Sequence, residues 1–319
     1  MFGDIGADQL AELVDGYLRE FLGTGLRDVL FRAGRIDAVW GVTTHDARDV
    51  VIKAHRPPVD LAARGAAVTA QEVLVGARFP CPVPLSGPDA FRGFTLSAES
   101  YMNRGLPADA HLPAVRATIA EGLFRHIDLL RSVPSLASTA GRGPAWCRYE
   151  NGPWPRPHDT IFDFSWTPDG FGWLDDLARA AADQTLGLRP DERVVGHADW
   201  YAGNLRFLDG QLVATFDWEL TSDAEAVVAG LAAGGYTAGP GSAGAPPPPE
   251  EVAAFLADYD SLRSERFSGR EQGAAAGAAA WVIAFNARCE LALPDDLVGR
   301  RANLTAAREL GASYARVRW

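Results

Sequence analysis

The spacing of apolar residues changes at about residue 104, and this change limits the folds that the chain can adopt. Before it, Val29–Phe31, Ala38–Thr43 and Asp49–His55 are short β-prone runs separated by turn residues. Such runs are typical of antiparallel strands joined by tight turns. The first part of the chain is therefore predicted to contain a meander of three antiparallel strands.

Two helices and a further strand complete the first hundred residues. Apolar residues recur at helical spacing over residues 8–22, which predicts an amphipathic helix before the strands. Residues 60–78 combine leucines and valines with many alanines and predict a second helix, which the following prolines end. Phe91–Ala98 predicts another strand. Residues 1–100 are therefore predicted to form a small α+β lobe with an antiparallel sheet.

The rest of the chain has a mainly helical pattern. The predicted helices lie over 115–130, from Trp173 onward, over 270–292 and over 300–316, and the predicted short strands lie over Arg193–Gly196, Asn204–Leu208 and Leu212–Phe216. An Asp209–Gly210 turn joins the last two strands. Residues 138–160 and 234–249 are predicted to be irregular, the second as a flexible or polyproline spacer. Residues 101–319 are therefore predicted to form a larger helical lobe.

Composition and charge exclude several classes of function. The chain carries 30 basic and 41 acidic residues, a net charge of −11, and is a poor candidate for binding nucleic acid through its phosphates. No apolar run is long enough to span a membrane, and the acidic N-terminus lacks the basic leader of a signal peptide. The three cysteines lack metal-ligand spacing. We expect a cytoplasmic monomer or homodimer without nucleic-acid or membrane partners.

The most informative stretch is Val194–Glu219, which contains His197, Asp199 and Asn204 in the pattern H-x-D-x4-N, followed by Asp217 after a hairpin. Phosphoryl transfer from a nucleotide needs a carboxylate near the acceptor hydroxyl, oxygen ligands for Mg²⁺ and a cation on the phosphates. Asp199 can serve the acceptor, and the amide of Asn204 and the carboxylate of Asp217 can bind Mg²⁺. The alternative, that these residues only stabilise turns, stays open at this point.

The chain contains a single lysine, Lys53, at the end of a predicted strand. Its branched apolar neighbours indicate a buried strand, and a buried cation requires an acidic partner. Glu72 is the only acidic residue between Asp60 and Asp89, so we predict an ion pair of Lys53 with Glu72. A compact ammonium on a thin stem suits contact with nucleotide phosphates better than a forked guanidinium does.

Two further segments are candidates for nucleotide contacts. Gly34 lies in the first hairpin, where a loop covering the phosphates belongs, although the chain has neither a P-loop motif nor G-x-G-x-x-G. Glu99–Asn103 joins the two predicted lobes and would offer backbone hydrogen bonds to adenine. Tyr101 and Met102 either line that adenine site or belong to the core.

The stretches HADWYAGN and FDWE, with VIK upstream, resemble the aminoglycoside phosphotransferase and choline kinase-like family of small-molecule kinases. The resemblance spans roughly residues 25–310 and implies the two-lobed, protein-kinase-like fold. It implies ATP as the nucleotide, with GTP left open, and Mg²⁺ as the metal. It implies Asp199 as the catalytic base and Asn204 and Asp217 as the Mg²⁺ ligands. It also implies Lys53 on the phosphates, with Glu72 as its acidic partner. His197 would be structural and brace the loop.

This chain departs from the family pattern in two places. The family usually has HGD where this chain has His197-Ala198-Asp199. It often has a G-D-P-x-x-D-L-like run where this chain has residues 222–228, which lack the second aspartate. Both departures concern the substrate subgroup more than the reaction.

The sequence constrains the acceptor less than the reaction. The C-terminal lobe carries most of the acidic residues, and an acidic pocket would favour a cationic acceptor. The alternative acceptors are an aminoglycoside-like antibiotic, an amino sugar, a basic peptide and an amino alcohol. The first of these would imply antibiotic resistance. The acidic residues could equally be solvated surface groups. Candidate substrate contacts are Trp200, Tyr201, Glu219, Asp223, Trp281 and Glu290, and the tryptophans, Trp281 above all, could equally belong to the core. Whether residues 234–249 form a lid over the acceptor or a linker is left open.

The sequence therefore predicts an ATP- and Mg²⁺-dependent O-phosphotransferase acting on a small hydroxylated molecule. The alternative is a catalytically silent nucleotide-binding module of the same fold. Asp199 argues against that alternative, because a silent relative has no chemical need for a base. A metal-dependent hydrolase is disfavoured, since His197 has no second histidine at ligand spacing.

Overall fold

The computed structural model describes residues 7–34, 37–141, 143–147, 152–155, 162–186, 193–239, 244–293 and 301–319. The chain divides into two units, Met1–Asn103 and Arg104–Trp319. The described part of the first unit is an antiparallel sheet with two helices, and that of the second is mainly helical. The predicted α+β class, with a small sheet-containing N-terminal lobe and a helical C-terminal lobe, is confirmed.

An antiparallel sheet of five strands dominates the first unit. Its elements are α1 Ala7–Leu22, β1 Leu26–Ala33, β2 Ala38–Thr44, β3 Asp49–His55, α2 Leu61–Gly76, β4 Pro84–Phe91 and β5 Phe94–Ser100. The strands lie in the order β1-β2-β3-β5-β4, and every neighbouring pair is antiparallel. Both predicted helices and the three-stranded meander are confirmed.

The two faces of this sheet differ in chemistry, because successive side chains of a strand point to opposite sides. Ile52 and Ala54 of β3 are fully buried and join Val14 and Tyr17 of α1 in one hydrophobic cluster. Full burial of such an apolar side chain contributes about 1.5–3 kcal/mol. Lys53, between the two core residues, therefore points to the face away from α1.

Strand β4 is not predicted by the sequence pattern. Pro84 and the Gly87–Pro88 pair break the alternation that marks a strand. The strand lies at the edge of the sheet, beside β5 alone, where a residue without a backbone N–H is tolerated. The predicted strand Phe91–Ala98 therefore divides into the end of β4 and the start of β5.

The second unit consists of helices with two pairs of short strands. Its elements are α3 Pro113–Leu130, α4 Ser135–Ala140, α5 Gly172–Leu186, β6 Val194–His197, β7 Leu205–Leu208, β8 Gln211–Thr215, β9 Leu220–Asp223, α6 Glu225–Gly235, α7 Pro249–Ser261, α8 Gly269–Ala292 and α9 Ala302–Tyr314. Short 3₁₀ turns cover Ala145–Cys147 and Ala202–Asn204. The helices predicted over 115–130, from Trp173, over 270–292 and over 300–316 are confirmed.

Helix α8 is the core helix of the second unit and packs against α5, α6 and α9. All its residues from Gly273 to Phe285 are buried. A Cβ on Gly230 of α6 would lie 2.2 Å from the carbonyl oxygen of Ala275, so the alanine-rich composition reflects close helix packing. Among the described residues, no helix is long and apolar enough to cross a membrane.

The short strands pair as β6 with β9 and as β7 with β8, both antiparallel. Asp209 and Gly210 form the β7–β8 turn with φ of +50° and +76°, the left-handed region that this two-residue turn requires. Strand β9 is not predicted, because its Thr-Ser-Asp run lacks apolar residues. Thr221 and Ser222 are nevertheless buried in it.

The described parts of residues 234–249 are packed against the protein, while residues 240–243 lie outside the described chain. Thr237 Oγ1 donates to the carbonyl oxygen of Ala245 at 2.8 Å. The hydroxyl of Tyr314 in α9 donates to a carbonyl oxygen at position 247 at 2.7 Å. The prediction of a flexible or polyproline spacer is wrong for residues 234–237, which end α6 and are largely buried, while Pro248 has the φ of −67° and ψ of 162° of polyproline.

Of residues 138–160, also predicted to be irregular, the structure describes the end of α4, the turn at Ala145–Cys147 and residues 152–155. The other positions of this segment are largely outside the described chain. The prediction that residues 138–160 are irregular stays a prediction for the positions outside the described chain.

Candidate active site

The H-x-D-x4-N stretch and the hairpin after it form one continuous element of the second unit. Strand β6 ends at His197, the 3₁₀ turn ends at Asn204, and β7 and β8 then form the hairpin. At the open end of this hairpin, the N–H of Phe216 donates to the carbonyl oxygen of Asn204 at 2.9 Å. This hydrogen bond places the main chain of Asp217, the next residue, near that of Asn204.

His197 links Asp199 with the residue that precedes Asp217. Its ring is buried, and Nδ1 accepts the main-chain N–H of Asp199 at 3.0 Å. The proton of the neutral ring is then on Nε2, which donates to the carbonyl oxygen of Phe216 at 2.9 Å. One imidazole thus fixes the main chain beside both acidic residues.

A second histidine, His126 of α3, holds the first. It is fully buried, its Nε2 accepts the N–H of His197 at 3.1 Å, and its Nδ1 donates to the carbonyl oxygen of Gly122 at 3.1 Å. Burial, together with the neighbouring His197, lowers the pKa of His126 to about 3, so the ring is neutral at neutral pH. His126 is absent from the predicted site, although its place on the apolar stripe between Leu123 and Leu130 signals a buried polar group in need of partners.

Asn204 and Asp217 present the oxygen atoms that Mg²⁺ binding requires. The buried Asn204 donates from Nδ2 to the carbonyl oxygen of Asp199 at 3.1 Å, which fixes the orientation of its amide, and its role as a metal ligand stays a prediction. Asp217 is exposed and has a φ of +58°, a left-handed conformation that recurs at functional sites. Amide and carboxylate oxygens are the hard ligands that Mg²⁺ prefers, so this donor set fits the ion.

Tyr201 follows Asp199 by two residues in the same loop. Burial first, and then the negative charges of Asp199 and Asp217, raise the pKa of its hydroxyl to about 12, while a hydrogen bond with Asn204 acts in the opposite direction. Hydrogen bonds of the loop and hairpin bring the chain segments of Asp199, Asn204 and Asp217 together, and the roles of these three side chains stay predictions.

In the first unit, Lys53 pairs with Glu99 of β5. Its Nζ lies 3.0 Å from Oε1 of Glu99, and each side chain is 12% exposed. In the β3–β5 register, Lys53 is opposite Ser97 and Val51 is opposite Glu99. Lys53 and Glu99 are therefore diagonal neighbours on one face of the sheet, a separation that long side chains can bridge.

Glu72, the predicted partner, is not the residue that binds Lys53. Glu72 is exposed on α2, whereas the preceding Gln71 is buried and donates from Nε2 to Oε2 of Glu99 at 3.4 Å. Gln71 and Leu74 belong to the buried face of α2. Glu72 lies about 100° around the helix from Gln71 and so points to solvent. The predicted pair is corrected to Lys53–Glu99.

Gly34 ends the first strand of the β1–β2 hairpin with a φ of +106°, and a Cβ there would lie 2.0 Å from the carbonyl oxygen of Asp37. Only glycine fits this turn. Asp37 then anchors the hairpin, since Nδ1 of His55 lies 2.7 Å from Oδ2 and the N–H of Arg56 donates to Oδ1 at 2.9 Å. Residues 35–36 lie outside the described chain.

The segment Glu99–Asn103, predicted to bind adenine through its backbone, partly belongs to the sheet. The N–H of Tyr101 donates to the carbonyl oxygen of Asp49 at 3.1 Å, and its ring centroid lies 5.6 Å from that of Phe31. The N–H of Tyr101 is therefore already used within the first unit. Met102 is half-buried, and its nucleotide contact stays a prediction.

A family model described as the phosphotransferase enzyme family, APH, matches residues 29–266, more than half of the chain. The chain belongs to this family. The resemblance that HADWYAGN, FDWE and VIK carry is thereby confirmed. A comparison with curated protein sequences finds no match.

Solved structures share the fold of this APH-family chain over nearly its whole length. Amicoumacin kinase hAmiN in complex with AMP-PNP, Ca²⁺ and Ami has a TM-score of 0.60 at 11% identity, covering 98% of this chain and 96% of that one. Plasmodium vivax ethanolamine kinase has a TM-score of 0.57 at 13% identity, covering 96% and 89%. A thermostable mutant of aminoglycoside phosphotransferase APH(4)-Ia, in its apo form, has a TM-score of 0.51 at 13% identity, covering 95% and 98%. The predicted kinase-like fold is confirmed.

Two of the predicted substrate contacts are core residues of the APH fold. Trp200 is 2% exposed, its Nε1 donates to the carbonyl oxygen of Ile119 at 2.9 Å, and its ring centroid lies 4.7 Å from that of His126. Trp281 is fully buried and donates to the carbonyl oxygen of Pro153 at 3.0 Å. Both predictions are wrong, because a buried indole whose N–H is bound has no surface left for a substrate. Trp200 ties the catalytic loop to α3 instead.

Glu290, a further predicted contact, serves the fold. Its carboxylate accepts the N–H groups of Asn303 and Leu304 at 3.1 and 2.9 Å. These N–H groups lie in the first turn of α9, where backbone donors lack intrahelical partners and a negative charge is favoured. Glu290 thus has a structural role, and its substrate contact stays a prediction. Asp223 accepts the N–H of Ala224, the next residue, at 2.8 Å, and its substrate contact also stays a prediction.

Tyr201 and Glu219 are the predicted substrate contacts that adjoin the catalytic loop. The carbonyl oxygen of Glu219 accepts the N–H of Ala198 at 2.8 Å, which aligns the chain before β9 with the loop. The Glu219 side chain is half-buried. Both contacts stay predictions.

Several acids that suggested an acidic acceptor pocket are bound to arginines. Glu225 lies 2.6 Å from Arg131 and also pairs with Arg263. Asp258 lies 2.9 Å from Arg116. Burial opposes ionisation of Glu225, but Arg263, Tyr259 and Arg131 hold the pKa of its carboxyl below the usual range. These acids stabilise the helical unit, so their number alone does not indicate a cationic acceptor.

Proposed function

We propose that this APH-family protein is an ATP- and Mg²⁺-dependent O-phosphotransferase that transfers the γ-phosphoryl group to a hydroxyl of a small molecule. The observation that carries the proposal is the bridge of His197 between the N–H of Asp199 and the carbonyl oxygen of Phe216. This bridge fixes the loop that carries the proposed base, Asp199, relative to the segment that carries the proposed metal ligand, Asp217. Phosphoryl transfer depends almost entirely on such positioning and on charge stabilisation.

Asp199 is the proposed catalytic base. Its carboxylate accepts the proton of the acceptor hydroxyl while that oxygen bonds to the γ-phosphorus, and the bond from this phosphorus to the bridging oxygen breaks to release ADP. The main chain at Asp199 is well held for this role. Its carbonyl oxygen accepts the N–H of Tyr201 at 3.0 Å and Nδ2 of Asn204 at 3.1 Å.

Asn204 Oδ1 and the Asp217 carboxylate are the proposed ligands of Mg²⁺, which neutralises charge on the β- and γ-phosphates when it is bound. Lys53 is proposed to bind the nucleotide phosphates. Glu99 supports that role, because a carboxylate 3.0 Å away holds the ammonium in a fixed direction.

The proposed acceptor is a small hydroxylated amine. Two of the similar structures are named for ethanolamine and aminoglycoside substrates, and a third for amicoumacin. The carboxylates of Asp199 and Glu219, on neighbouring segments of the second unit, would attract a cationic group. Amino alcohols, amino sugars, aminoglycoside-like antibiotics and basic peptides are therefore the compounds to test.

The test combines a panel of these compounds with Mg·ATP and follows ADP release, with mass spectrometry for the gain of one phosphoryl group. The wild type is expected to phosphorylate at least one compound. Asp199→Asn is expected to bind Mg·ATP as the wild type does but to form no product, because an amide cannot accept the proton. Nucleotide binding without product from any compound would instead support a silent nucleotide-binding module.

A further inference from the structure

We propose that His126 is a positioning residue for this reaction, which acts through His197 on the main chain at Asp199 and Phe216 and touches no reactant. The inference rests on the proposed function for its catalytic consequence. It assigns a role to a residue of α3 that lies outside the H-x-D-x4-N stretch.

The two ring nitrogens of His126 have different and fixed duties. Nδ1 lies 3.1 Å from the carbonyl oxygen of Gly122, one turn earlier in α3, and must donate to it. Nε2 lies 3.1 Å from the N–H of His197 and must accept from it. One tautomer of the neutral ring satisfies both bonds, and a protonated ring could not accept the second.

From His126 a short series of hydrogen bonds reaches both acidic segments. His126 binds the N–H of His197, whose ring binds the N–H of Asp199 on one side and the carbonyl oxygen of Phe216 on the other. The first bond fixes the end of β6, and the other two fix the loops that follow β6 and β8. A displacement of His126 is therefore transmitted to both loops.

The surroundings of His126 hold its ring rigidly. Its ring centroid lies 4.7 Å from that of Trp200 and 5.6 Å from that of Trp218, and both indoles are buried. Both tryptophans belong to the same catalytic segments that the histidine pair connects. The low pKa of His126, caused first by burial, agrees with a ring that stays neutral while it accepts.

An apolar residue of similar size could fill this space but could not replace the ring. It would leave the N–H of His197 without its side-chain acceptor inside the protein, and an unsatisfied buried donor is strongly unfavourable. The strand end would then move to find another partner. Loss of position at the base is expected, even where the fold survives.

The test uses two substitutions that each keep one of the two hydrogen bonds of the ring, and a third that keeps neither. In His126→Gln, Oε1 reaches the place of Nε2 and can accept from His197. In His126→Asn, Nδ2 replaces the Nδ1 donor toward Gly122 but does not reach His197. His126→Leu keeps neither bond. His111→Gln is the control, because His111 is a half-buried histidine of the second unit whose Nδ1 lies 2.6 Å from a different partner, Glu251.

The expected order of kcat follows acceptance of the His197 N–H. His126→Gln should stay within about threefold of wild type, while His126→Asn and His126→Leu should lose about 10- to 100-fold, as small displacements of catalytic groups do. KM for ATP should change by less than kcat does in all of them, because no side chain proposed to bind the nucleotide is removed. His111→Gln should keep the wild-type kcat.

Amide hydrogen exchange measured by mass spectrometry tests the same order without turnover. His126→Asn and His126→Leu should exchange faster than wild type in the peptides covering 194–199 and 216–218, and His126→Gln and His111→Gln should not. Unchanged exchange in folded His126→Asn would overturn the proposal. So would equal losses of kcat in His126→Gln and His126→Asn that merely follow their melting temperatures. A wild type that phosphorylates nothing overturns the proposed function, while exchange still decides the role of His126.

Discussion

Lys53 and Glu99 lie on adjacent antiparallel strands, and their charged groups are 3.0 Å apart on the sheet face opposite α1. Both side chains are 12% exposed, and their attraction is screened less than that of a surface pair. Gln71 of α2 binds the second carboxylate oxygen at 3.4 Å. Because both charged partners belong to one sheet, a movement of α2 would not by itself separate them.

Replacing Glu99 is expected to affect both stability and nucleotide use. Glu99→Gln removes the carboxylate that lies 3.0 Å from the ammonium of Lys53 in a poorly hydrated place, and we expect the free energy of unfolding to fall by about 1–3 kcal/mol. KM for ATP should rise, since the ammonium loses its fixed direction. Urea unfolding and steady-state kinetics measure the two effects.

The matched control for that experiment is Glu72→Gln, the acidic residue of α2 that faces solvent. Its free energy of unfolding should stay within about 0.5 kcal/mol of the wild type, as for most surface substitutions. A larger effect from Glu72→Gln than from Glu99→Gln would contradict the assigned pair.

The difference between Glu72 and Glu99 shows what the sequence could and could not predict. The strands and their hairpins were predictable because apolar alternation and turn residues are local signals. The partner of Lys53 depends on the register between β3 and β5, which joins residues far apart in the chain. Glu72, the one acidic residue between Asp60 and Asp89, is therefore indicated by the sequence pattern but is not the partner.

The candidate site was predictable where its residues share one motif. Asp199, Asn204 and Asp217 belong to one loop and hairpin, so their spacing indicates their proximity. His126 belongs to another helix, and only its polar side chain on an apolar stripe points to a buried partner. The burial of Trp200 is not predictable in this way, because aromatic type alone does not reveal which way a loop residue points.

Lys53→Arg tests whether a positive charge at this position is sufficient for binding the nucleotide phosphates. A guanidinium is wider and forked, so it is not expected to occupy the place of the ammonium beside Glu99 while also reaching phosphates. We expect kcat/KM for ATP to fall by more than about tenfold with normal folding. Arg179→Lys, at an exposed ion pair with Asp176, is the control and should change neither quantity. Wild-type turnover in Lys53→Arg would exclude the assigned role.

Two substitutions at His197 separate its two bonds. His197→Asn can keep the acceptor toward the N–H of Asp199 but loses the donor toward Phe216, and His197→Gln does the reverse. We expect His197→Asn to raise the Mg²⁺ concentration needed for half-maximal activity and His197→Gln mainly to lower kcat. Magnesium titrations at saturating ATP distinguish these effects. Identical profiles for both variants would show that the two bonds do not act separately.

The anchor of the first hairpin at Asp37 is expected to give a pH-dependent contribution to stability. Burial opposes ionisation of Asp37, but the hydrogen bond from His55 and the charge of Arg64 hold its pKa below the usual range. The unfolded chain therefore binds this proton more readily, and the contribution is present above about pH 4 and is lost as the pH falls through the folded pKa. Asp37→Asn should lower the free energy of unfolding by about 1–3 kcal/mol at pH 7.

The same difference should begin to shrink below about pH 4, where the unfolded chain becomes protonated, and should disappear only as the pH falls through the lower folded pKa. Urea unfolding of both proteins at pH 7 and at about pH 2.5 measures it. Asp176→Asn, which removes an exposed carboxylate, should show a difference within about 0.5 kcal/mol at both values. A difference for Asp37→Asn that is constant with pH would argue against the ionised anchor.

The left-handed conformation of Asp217 decides which substitution tests it as a metal ligand. Asparagine adopts φ near +58° readily, whereas alanine there costs about 1–2 kcal/mol. Asp217→Asn should therefore keep its stability but weaken Mg²⁺-dependent binding of ADP by more than about tenfold, because an amide is a poorer ligand than a carboxylate. Asp217→Ala should show the same loss and also unfold at lower urea concentration. Calorimetric titration of both variants with ADP, with and without Mg²⁺, measures this loss. Binding of ADP without the ion should be unchanged. Wild-type affinity for Mg·ADP in Asp217→Asn would remove Asp217 from the ligand set.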